Sequence, residues 1–240
     1  MSLPIKDKIA SGQPVIVVNI GGYNPDAVEA LARAGADLAF IDCERTGLGL
    51  DTATQLIRAA RASGLPAVVR SWSREPEVIV QYLDRKADGI VVPRVESAQE
   101  AASLVELVRY ACGKEAANKL VIPQIESRAA VAAVDAMAAV QGIDVFLIGP
   151  NDLTYDMTGT RGSGTPEVHA VIDRVCERLA AAGRRYGMPC PMDEVPRFRK
   201  RGATFAYYHL DWLLRRSVAE FGRELQRDAS DWSTVAGAVA

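Results

Sequence analysis

Short apolar runs alternate along the chain with longer segments whose apolar residues recur at helical spacing. The runs are rich in Val and Ile and apolar at consecutive positions, which is typical of strands buried on both faces of a parallel sheet. We predict eight strands, at 15–20, 38–44, 67–70, 89–95, 119–126, 145–150, 189–192 and 205–210.

The segments between these runs contain residues that begin and end helices. In "NPDAVEALARAGAD", Asn24 suits the N-cap, Pro25 the first turn and Gly35 the end. "REPEVIVQYLDRKADG", "ESAQEAASLVELVRYACG" and "SRAAVAAVDAMAAVQG" follow the same logic. Successive strand–helix units with right-handed crossovers predict an α/β fold closed as a (β/α)8 barrel. An open doubly wound sheet is the alternative, but no strand is followed by the G-x-G-x-x-G of dinucleotide-binding turns.

No Pro-, Gly- or Ser-rich linker divides the chain, so we predict one barrel domain over 1–240, a size that such barrels commonly reach. The tail at 228–240 lies beyond the last strand–helix unit. Its Trp232 favours docking of the tail, because a lone exposed tryptophan leaves a large apolar surface in water.

Composition excludes several classes of protein. The formal net charge is −2, which gives no basic field to attract nucleic acid or an anionic membrane. No apolar run reaches the about 18 residues of a membrane helix, and the first residues lack the apolar core of a signal peptide. The four cysteines form no C-x-x-C pair. We therefore expect a cytoplasmic protein with reduced thiols.

Polar residues follow most of the predicted strands. In a parallel barrel the chemistry lies at the C-terminal ends of the strands. The residues found there are Asp42, Glu44, Arg45, Arg70, Gln124, Glu126, Asn151, Asp152, Asp193, His209 and Asp211. A barrel that served only as a scaffold would not need so many charges at one face, so we predict an active site there.

Glu126 and Asp152 follow two consecutive apolar strands. Carboxylates brought together repel each other and lose solvation, so a compensating cation is expected. Two carboxylates completed by water suit a hard divalent ion such as Mg²⁺ or Mn²⁺. The alternative is that Glu126 caps the helix that "ESRAAV" opens and that Asp152 caps a turn.

Arg70 ends the otherwise apolar run "AVVR". A guanidinium there can bind the carboxylate of a ligand through two parallel hydrogen bonds. The alternative is a structural ion pair with Asp42 or Glu44 across neighbouring strand ends.

Four segments resemble the HpcH/HpaI family of class II (metal-dependent) 2-oxo-acid aldolases. They are "FIDCERTG", "VVRSWSREPEVIVQYLDRKADGIVVPRVESAQEA", "PQIESRAAV" and "GIDVFLIGPNDLTYDMTG". The similarity runs in order from about residue 15 to about residue 214. Its most specific elements are Q-x-E at 124–126 and G-P-x-D-L at 149–153.

The resemblance implies a phosphoenolpyruvate/pyruvate-type barrel, usually a homohexamer of paired barrels whose C-terminal helix, about 211–240 here, is exchanged between subunits. It implies a divalent metal ion (Mg²⁺, Mn²⁺ or Co²⁺) held by Glu126 and Asp152. The implied substrate-binding residues are Arg70, Gln124, Gly149, Pro150 and Asn151. The implied reaction joins or separates a 2-oxo acid and an aldehyde, with the metal stabilising a pyruvate enolate.

The chain departs from the family pattern where a D-G-E-H motif is usual. Cys43 replaces the glycine, and Arg45 stands where the family has its histidine base. Arginine cannot accept a proton near neutral pH, so metal-bound water, Glu44 or His209 would move the proton, or Arg45 would bind an anionic group of the acceptor. We assign catalysis to Asp42, Glu44, Arg45 and Arg70. The segment before the fifth strand, "VRYACGKEAANKLVIPQIE", is also shorter than in many relatives.

Two further functions stay open. One is a lyase of the citrate-lyase β-subunit type, which would act on a CoA thioester or a citramalate-like substrate. The other is a non-catalytic barrel that binds an oxo acid, which the loss of the histidine base favours.

Overall fold

The computed structural model describes residues 4–162 and 164–227 and confirms the predicted closed barrel of eight parallel strands in chain order. The strands are β1 Val15–Asn19, β2 Leu38–Asp42, β3 Ala67–Arg70, β4 Gly89–Val92, β5 Leu120–Ile125, β6 Phe146–Ile148, β7 Tyr186–Pro189 and β8 Phe205–His209. Pairing of β8 with β1, in which Val15 lies opposite Phe205, closes the barrel. The prediction about Trp232 and the tail falls outside the described residues.

Helices connect the strands and cover the outside of the barrel. They are α1 Ile5–Ala10, α2 Pro25–Ala34, α3 Leu50–Ala62, α4 Pro76–Asp84, α5 Ala98–Cys112, α6 Arg128–Ala132, α7 Val134–Ala138, α8 Pro150–Thr158, α9 Pro166–Ala181, α10 Val195–Lys200 and α11 Leu210–Arg227. Short 3₁₀ segments lie at Gly113–Asn118 and Met192–Glu194. Within the described ranges, no helix is long and apolar enough to cross a membrane.

Local signals in the sequence set the helix ends as predicted. Asn24 caps α2 by accepting a hydrogen bond from the backbone N–H of Ala27 at 2.9 Å, and Pro25 occupies the first turn. Gly35 ends the helix with φ at 87°, a left-handed conformation that glycine adopts without the steric cost of a side chain. Ser97 caps α5 in the same way.

Consecutive apolar residues along each strand serve two separate cores. In β2, Ala39 and Ile41 pack outward against the helices, whereas Leu38 and Phe40 fill the interior of the barrel. The alternation follows from the two-residue period of a strand. Both faces of the wall are therefore buried, which explains the unbroken apolar runs.

Two predicted elements differ from the structure. The seventh strand lies at Tyr186–Pro189 and not at 189–192, because Tyr186 and Met188 provide the buried outward positions while Met192 begins a 3₁₀ segment. The predicted helix in "SRAAVAAVDAMAAVQG" is split into α6 and α7 at Ala133, whose φ and ψ are −86° and 0°.

Gly187 allows β7 to approach β8 closely. A Cβ at this position would lie 1.9 Å from the carbonyl oxygen of Phe205, so Gly187→Ala would force the two strands apart. We expect this substitution to lower the free energy of unfolding by about 3 kcal/mol, measured by urea denaturation. Gly22→Ala is the control, because a Cβ there meets nothing within 4 Å. Equal denaturation midpoints for the two variants would contradict the described register.

Candidate active site

The period of the strands places the polar residues at the C-terminal ends on the inside of the barrel. Asp42 lies two positions after Phe40, and Arg70 lies two positions after Val68, both of which fill the barrel interior. Gln124 and Glu126 follow Ile122 at the same spacing. These side chains therefore converge at the barrel mouth, by which we mean the space above the C-terminal ends of the strands.

A buried ion pair joins the ends of β2 and β3. Arg70 donates through Nε to Asp42 Oδ1 at 2.9 Å and through Nη2 to Asp42 Oδ2 at 2.6 Å. Burial favours the neutral forms, but each partner's charge outweighs it, so the pKa of Asp42 is lowered and the pKa of Arg70 is raised. The structural ion pair that was the alternative for Arg70 is therefore present.

Asp42 also fixes the turn that follows β2. Its Oδ1 accepts hydrogen bonds from the backbone N–H groups of Glu44 at 3.1 Å and Arg45 at 3.2 Å, and the Thr46 hydroxyl donates to its backbone carbonyl. Asp42 thus sets where the Glu44 and Arg45 side chains start.

A neutral network that the sequence did not reveal supports the same carboxylate. Asn19 donates through Nδ2 to Tyr207 Oη at 2.6 Å and to Asp42 Oδ2 at 3.3 Å. His209 Nε2 lies 3.4 Å from the same amide nitrogen, and burial lowers the pKa of this histidine. Burial raises the pKa of Tyr207 to about 12, so its hydroxyl stays protonated. Asn19 and Tyr207 are recognisable only from their inward register on β1 and β8.

Glu126 lies at the end of β5 and is 1% exposed. Its Oε1 accepts from the backbone N–H of Arg94 at 2.8 Å, and its Oε2 accepts from the amide of Gln124. Burial, then the negative charges of Asp152 and Glu44, raise its pKa to about 7. Ser127, and not Glu126, caps α6, so the capping alternative for Glu126 is wrong.

Gly149 lets the end of β6 approach the Glu126 carboxylate. A Cβ at this position would lie 2.8 Å from both Gln124 Nε2 and Glu126 Oε2. Gly149 is the N-cap residue of α8, which begins with Pro150 and the exposed Asn151. The glycine of the G-P-x-D-L motif is therefore required by the packing of the site.

Arg45 and Asp152 form an ion pair across the barrel mouth. Arg45 Nη2 lies 2.6 Å from Asp152 Oδ1, and Arg45 Nε lies 3.8 Å from Glu44 Oε2. Asp152 lies in the first turn of α8, and its carboxylate is partly exposed. Arg45, which stands where the sequence analysis led us to expect a histidine, thus presents a permanent positive charge to one of the two predicted metal ligands.

Two predicted rim residues do not join this group. Asp211 pairs with Arg215 at 2.7 Å one turn along α11, and Asp193 is exposed in the 3₁₀ segment after β7. The residues that the structure brings together therefore come mainly from β1, β2, β3, β5, β8 and the start of α8.

The oxygen atoms at the mouth suit a hard divalent ion. Glu44 Oε2 and Gln124 Oε1 are buried and accept no hydrogen bond, although Arg70 Nη1 lies 3.2 Å from the former. Among residues 4–162 and 164–227, no three His, Cys, Asp or Glu side chains form a ready metal cluster. Glu126 and Asp152 would therefore need water or ligand oxygens to complete the shell, as is usual for Mg²⁺.

Comparison with known proteins gives the family. The sequence model of the HpcH/HpaI aldolase/citrate lyase family matches residues 16–213. A hydroxypyruvate/pyruvate aldolase from Roseovarius nubinhibens is 32% identical over 89% of this chain and 93% of its own length. A 4-hydroxy-2-oxo-heptane-1,7-dioate aldolase from Salmonella dublin is 31% identical over 92% of this chain and 93% of its own length.

A solved structure agrees with the sequence comparisons. The HpcH/HpaI aldolase/citrate lyase family protein from Burkholderia cenocepacia J2315 superposes with a TM-score of 0.84 at 25% identity, covering 92% of this chain and 98% of that one. Barrel, motif order and sequence similarity thus agree over nearly the whole described chain. The chain belongs to the HpcH/HpaI aldolase/citrate lyase family and is a carbon–carbon lyase.

Proposed function

We propose that the chain is an aldolase that cleaves or forms a 4-hydroxy-2-oxo acid, using a divalent metal ion held by Glu126 and Asp152. The observation that carries this proposal is the convergence of Glu126 and Asp152 at one barrel mouth, where the negative charge of Asp152 adds to burial in raising the pKa of Glu126. Gln124 Oε1, a buried oxygen that accepts no hydrogen bond, lies in the same group and is available to a cation or to one of its water ligands. When bound, the ion supplies Lewis-acid polarisation of the 2-oxo acid.

Arg70 and Gln124 are proposed to hold the oxo acid. Arg70 is anchored by Asp42 through two of its three nitrogens, and its third nitrogen, Nη1, lies 3.2 Å from Glu44 Oε2, so the guanidinium has little freedom to move. A donor held this way can stabilise negative charge that develops on a bound oxo acid without having to reorganise. The start of α8 is proposed to bind the substrate carboxylate, because a helix N-terminus attracts anions. The residues there are Gly149, Pro150 and Asn151.

Glu44 is the proposed proton-transfer group in place of the histidine base. Burial raises its pKa despite the neighbouring guanidiniums of Arg70 and Arg45, and its Oε2 accepts no hydrogen bond, so we propose that this atom takes up the proton. Its carboxylate interacts with Asp152 and Glu126, whereas His209 interacts with Asp42, Arg70 and Asp211. Glu44 is therefore the group coupled to the acidic pair.

Two other functions remain as alternatives. The family description also names citrate lyase, so a CoA-thioester lyase is the second candidate. The relatives from Roseovarius nubinhibens and Salmonella dublin, both above 30% identity, are named aldolases, which favours the first proposal. A non-catalytic barrel is the third candidate, because Arg45 occupies the usual base position. Stabilisation of the protein by a CoA ester, but not by pyruvate, would favour the second.

Glu126→Gln tests the metal-dependent function without knowledge of the aldehyde. With Mg²⁺ or Mn²⁺ and pyruvate in D₂O, we expect the wild type to exchange the methyl protons, measured by proton NMR, and EDTA to abolish the exchange. Glu126→Gln should lower the rate at least about 100-fold, because a neutral amide is a poor ligand for a hard cation. Asp156→Asn is the control, because Asp156 pairs with Arg128 on the rim. A wild type that binds metal and pyruvate without exchange would support the non-catalytic alternative.

Glu44→Gln and His209→Gln separate the two candidate proton-transfer groups. We expect Glu44→Gln to slow the same exchange about 100-fold or more, in the range for loss of a general base, while Mn²⁺ affinity changes by less than about fivefold. His209→Gln should exchange within about fivefold of the wild type. If His209→Gln slowed the exchange more than Glu44→Gln did, proton transfer would be assigned to His209.

Assembly into a homo-oligomer, such as a hexamer, is a further part of the proposal. Helix α11 exposes Leu214, Val218, Phe221 and Leu225 along one face. Their spacing of four, three and four residues is typical of a helix that packs against another helix. A second copy of this chain would bury that stripe, as the resemblance implies for a C-terminal helix exchanged between subunits.

Phe221→Glu tests this assembly, because it places a charge in the middle of the stripe where the side chain is 67% exposed. We expect the wild type to be an oligomer and Phe221→Glu to shift to a smaller species, measured by light scattering after size exclusion. Arg216→Glu on the polar face of the same helix is the control and should keep the wild-type mass. A monomeric wild type would contradict the proposal and leave the tail at 228–240 as the candidate cover.

A further inference from the structure

The Arg45 side chain is paired with Asp152, which is one of the two proposed metal ligands. Its guanidinium donates to Asp152 Oδ1 at 2.6 Å, the short distance of a charge-assisted hydrogen bond. The same guanidinium lies 3.8 Å from Glu44 Oε2. A positive group thus sits among the carboxylates on which the proposed metal site depends.

The backbone of Arg45 is held in place, whereas its guanidinium can move. Its backbone N–H is held by Asp42 Oδ1, so the Cα position does not depend on the pairing with Asp152. The side chain is 50% exposed at the rim of the mouth, with solvent on one side. Rotation about the side-chain bonds can therefore move the guanidinium off Asp152 without moving the barrel.

We propose that Arg45 is a built-in competing cation that holds Asp152 in the metal-free protein and has to leave it when a divalent ion binds. The inference rests on the proposed function, because it takes Glu126 and Asp152 as the ligands. Arg45 thereby lowers metal affinity through Asp152. It is a gating residue and does not itself act on the substrate.

The charges at the barrel mouth support the proposal that Arg45 lowers metal affinity. A dication and a guanidinium attract the same carboxylate, and each repels the other. We therefore expect Arg45 to release Asp152 Oδ1 when Asp152 takes part in a two-carboxylate site.

The experiment measures Mn²⁺ affinity directly, by titration followed with electron paramagnetic resonance, and needs no turnover. We expect Arg45→Gln to bind Mn²⁺ about tenfold more tightly than the wild type. Arg45→Lys keeps the positive charge and should stay within about threefold of the wild type. Arg128→Gln is the matched control, because Arg128 is an exposed rim arginine that pairs with Asp156 and not with Asp152. Its affinity should lie within about twofold of the wild type.

The outcomes separate this inference from the proposed function. Equal affinities for Arg45→Gln and the wild type, with Mn²⁺ binding lost in Glu126→Gln, would overturn the gating role and leave the metal site standing. An equal increase in Mn²⁺ affinity in Arg45→Gln and Arg128→Gln would also overturn the gating role. The increase would then come from the loss of any positive charge near the mouth and not from the contact with Asp152. If the wild type and Glu126→Gln bind Mn²⁺ alike, the metal site itself is wrong and the gating role fails with it.

Discussion

The ion pair between Asp42 and Arg70 is the interaction on which the geometry of the barrel mouth depends. Both groups are buried, and each would be costly alone in that environment. Paired through two hydrogen bonds, they fix the relative positions of the ends of β2 and β3. Asp42 uses its remaining acceptor capacity for the turn that presents Glu44 and Arg45. The Asp42 side chain therefore positions Arg70, Glu44 and Arg45.

The other carboxylates at the mouth are stabilised in two different ways. Glu126 is buried, and its oxygens accept hydrogen bonds from a backbone N–H and from an amide. Burial and the negative charges of Asp152 and Glu44 raise its pKa to about 7. Asp152 is partly exposed and is neutralised by Arg45. A site of this kind can hold a cation without accumulating several unpaired charges when the cation is absent.

The fold was predictable because each strand is buried on both faces and is therefore marked by an unbroken apolar run. The seventh strand was misplaced because its inward position is Gly187, which provides no apolar signal, and because close approach to Phe205 selects glycine there. Glu126, Asp152 and Arg70 were predictable as charges at strand ends. Asn19 was missed because a neutral amide at the end of β1 does not stand out among polar loop residues.

The ion pair between Arg45 and Asp152 could not be predicted from the sequence, for a different reason. Arg45 and Asp152 are 107 residues apart, and their contact depends on the length and rotamer of a flexible side chain. The barrel fixes only that the two strand ends share a face. The alternatives for Arg70 were likewise undecided, because the strand pairing that aligns it with Asp42 allows both a structural ion pair and a substrate contact.

The substitution of arginine for histidine changes more than the identity of the base. A histidine at position 45 would gain or lose its charge between about pH 5 and 8, so its attraction for Asp152 would vary with pH. The Arg45 guanidinium stays charged throughout this range, and its pairing with Asp152 raises its pKa further despite burial. Burial raises the pKa values of Glu44 and Glu126, which supports the proposal that Glu44 is the site of proton uptake at this mouth. The barrel of the family is retained, while the proposed function gives the acid–base role to a carboxylate instead of the side chain at position 45.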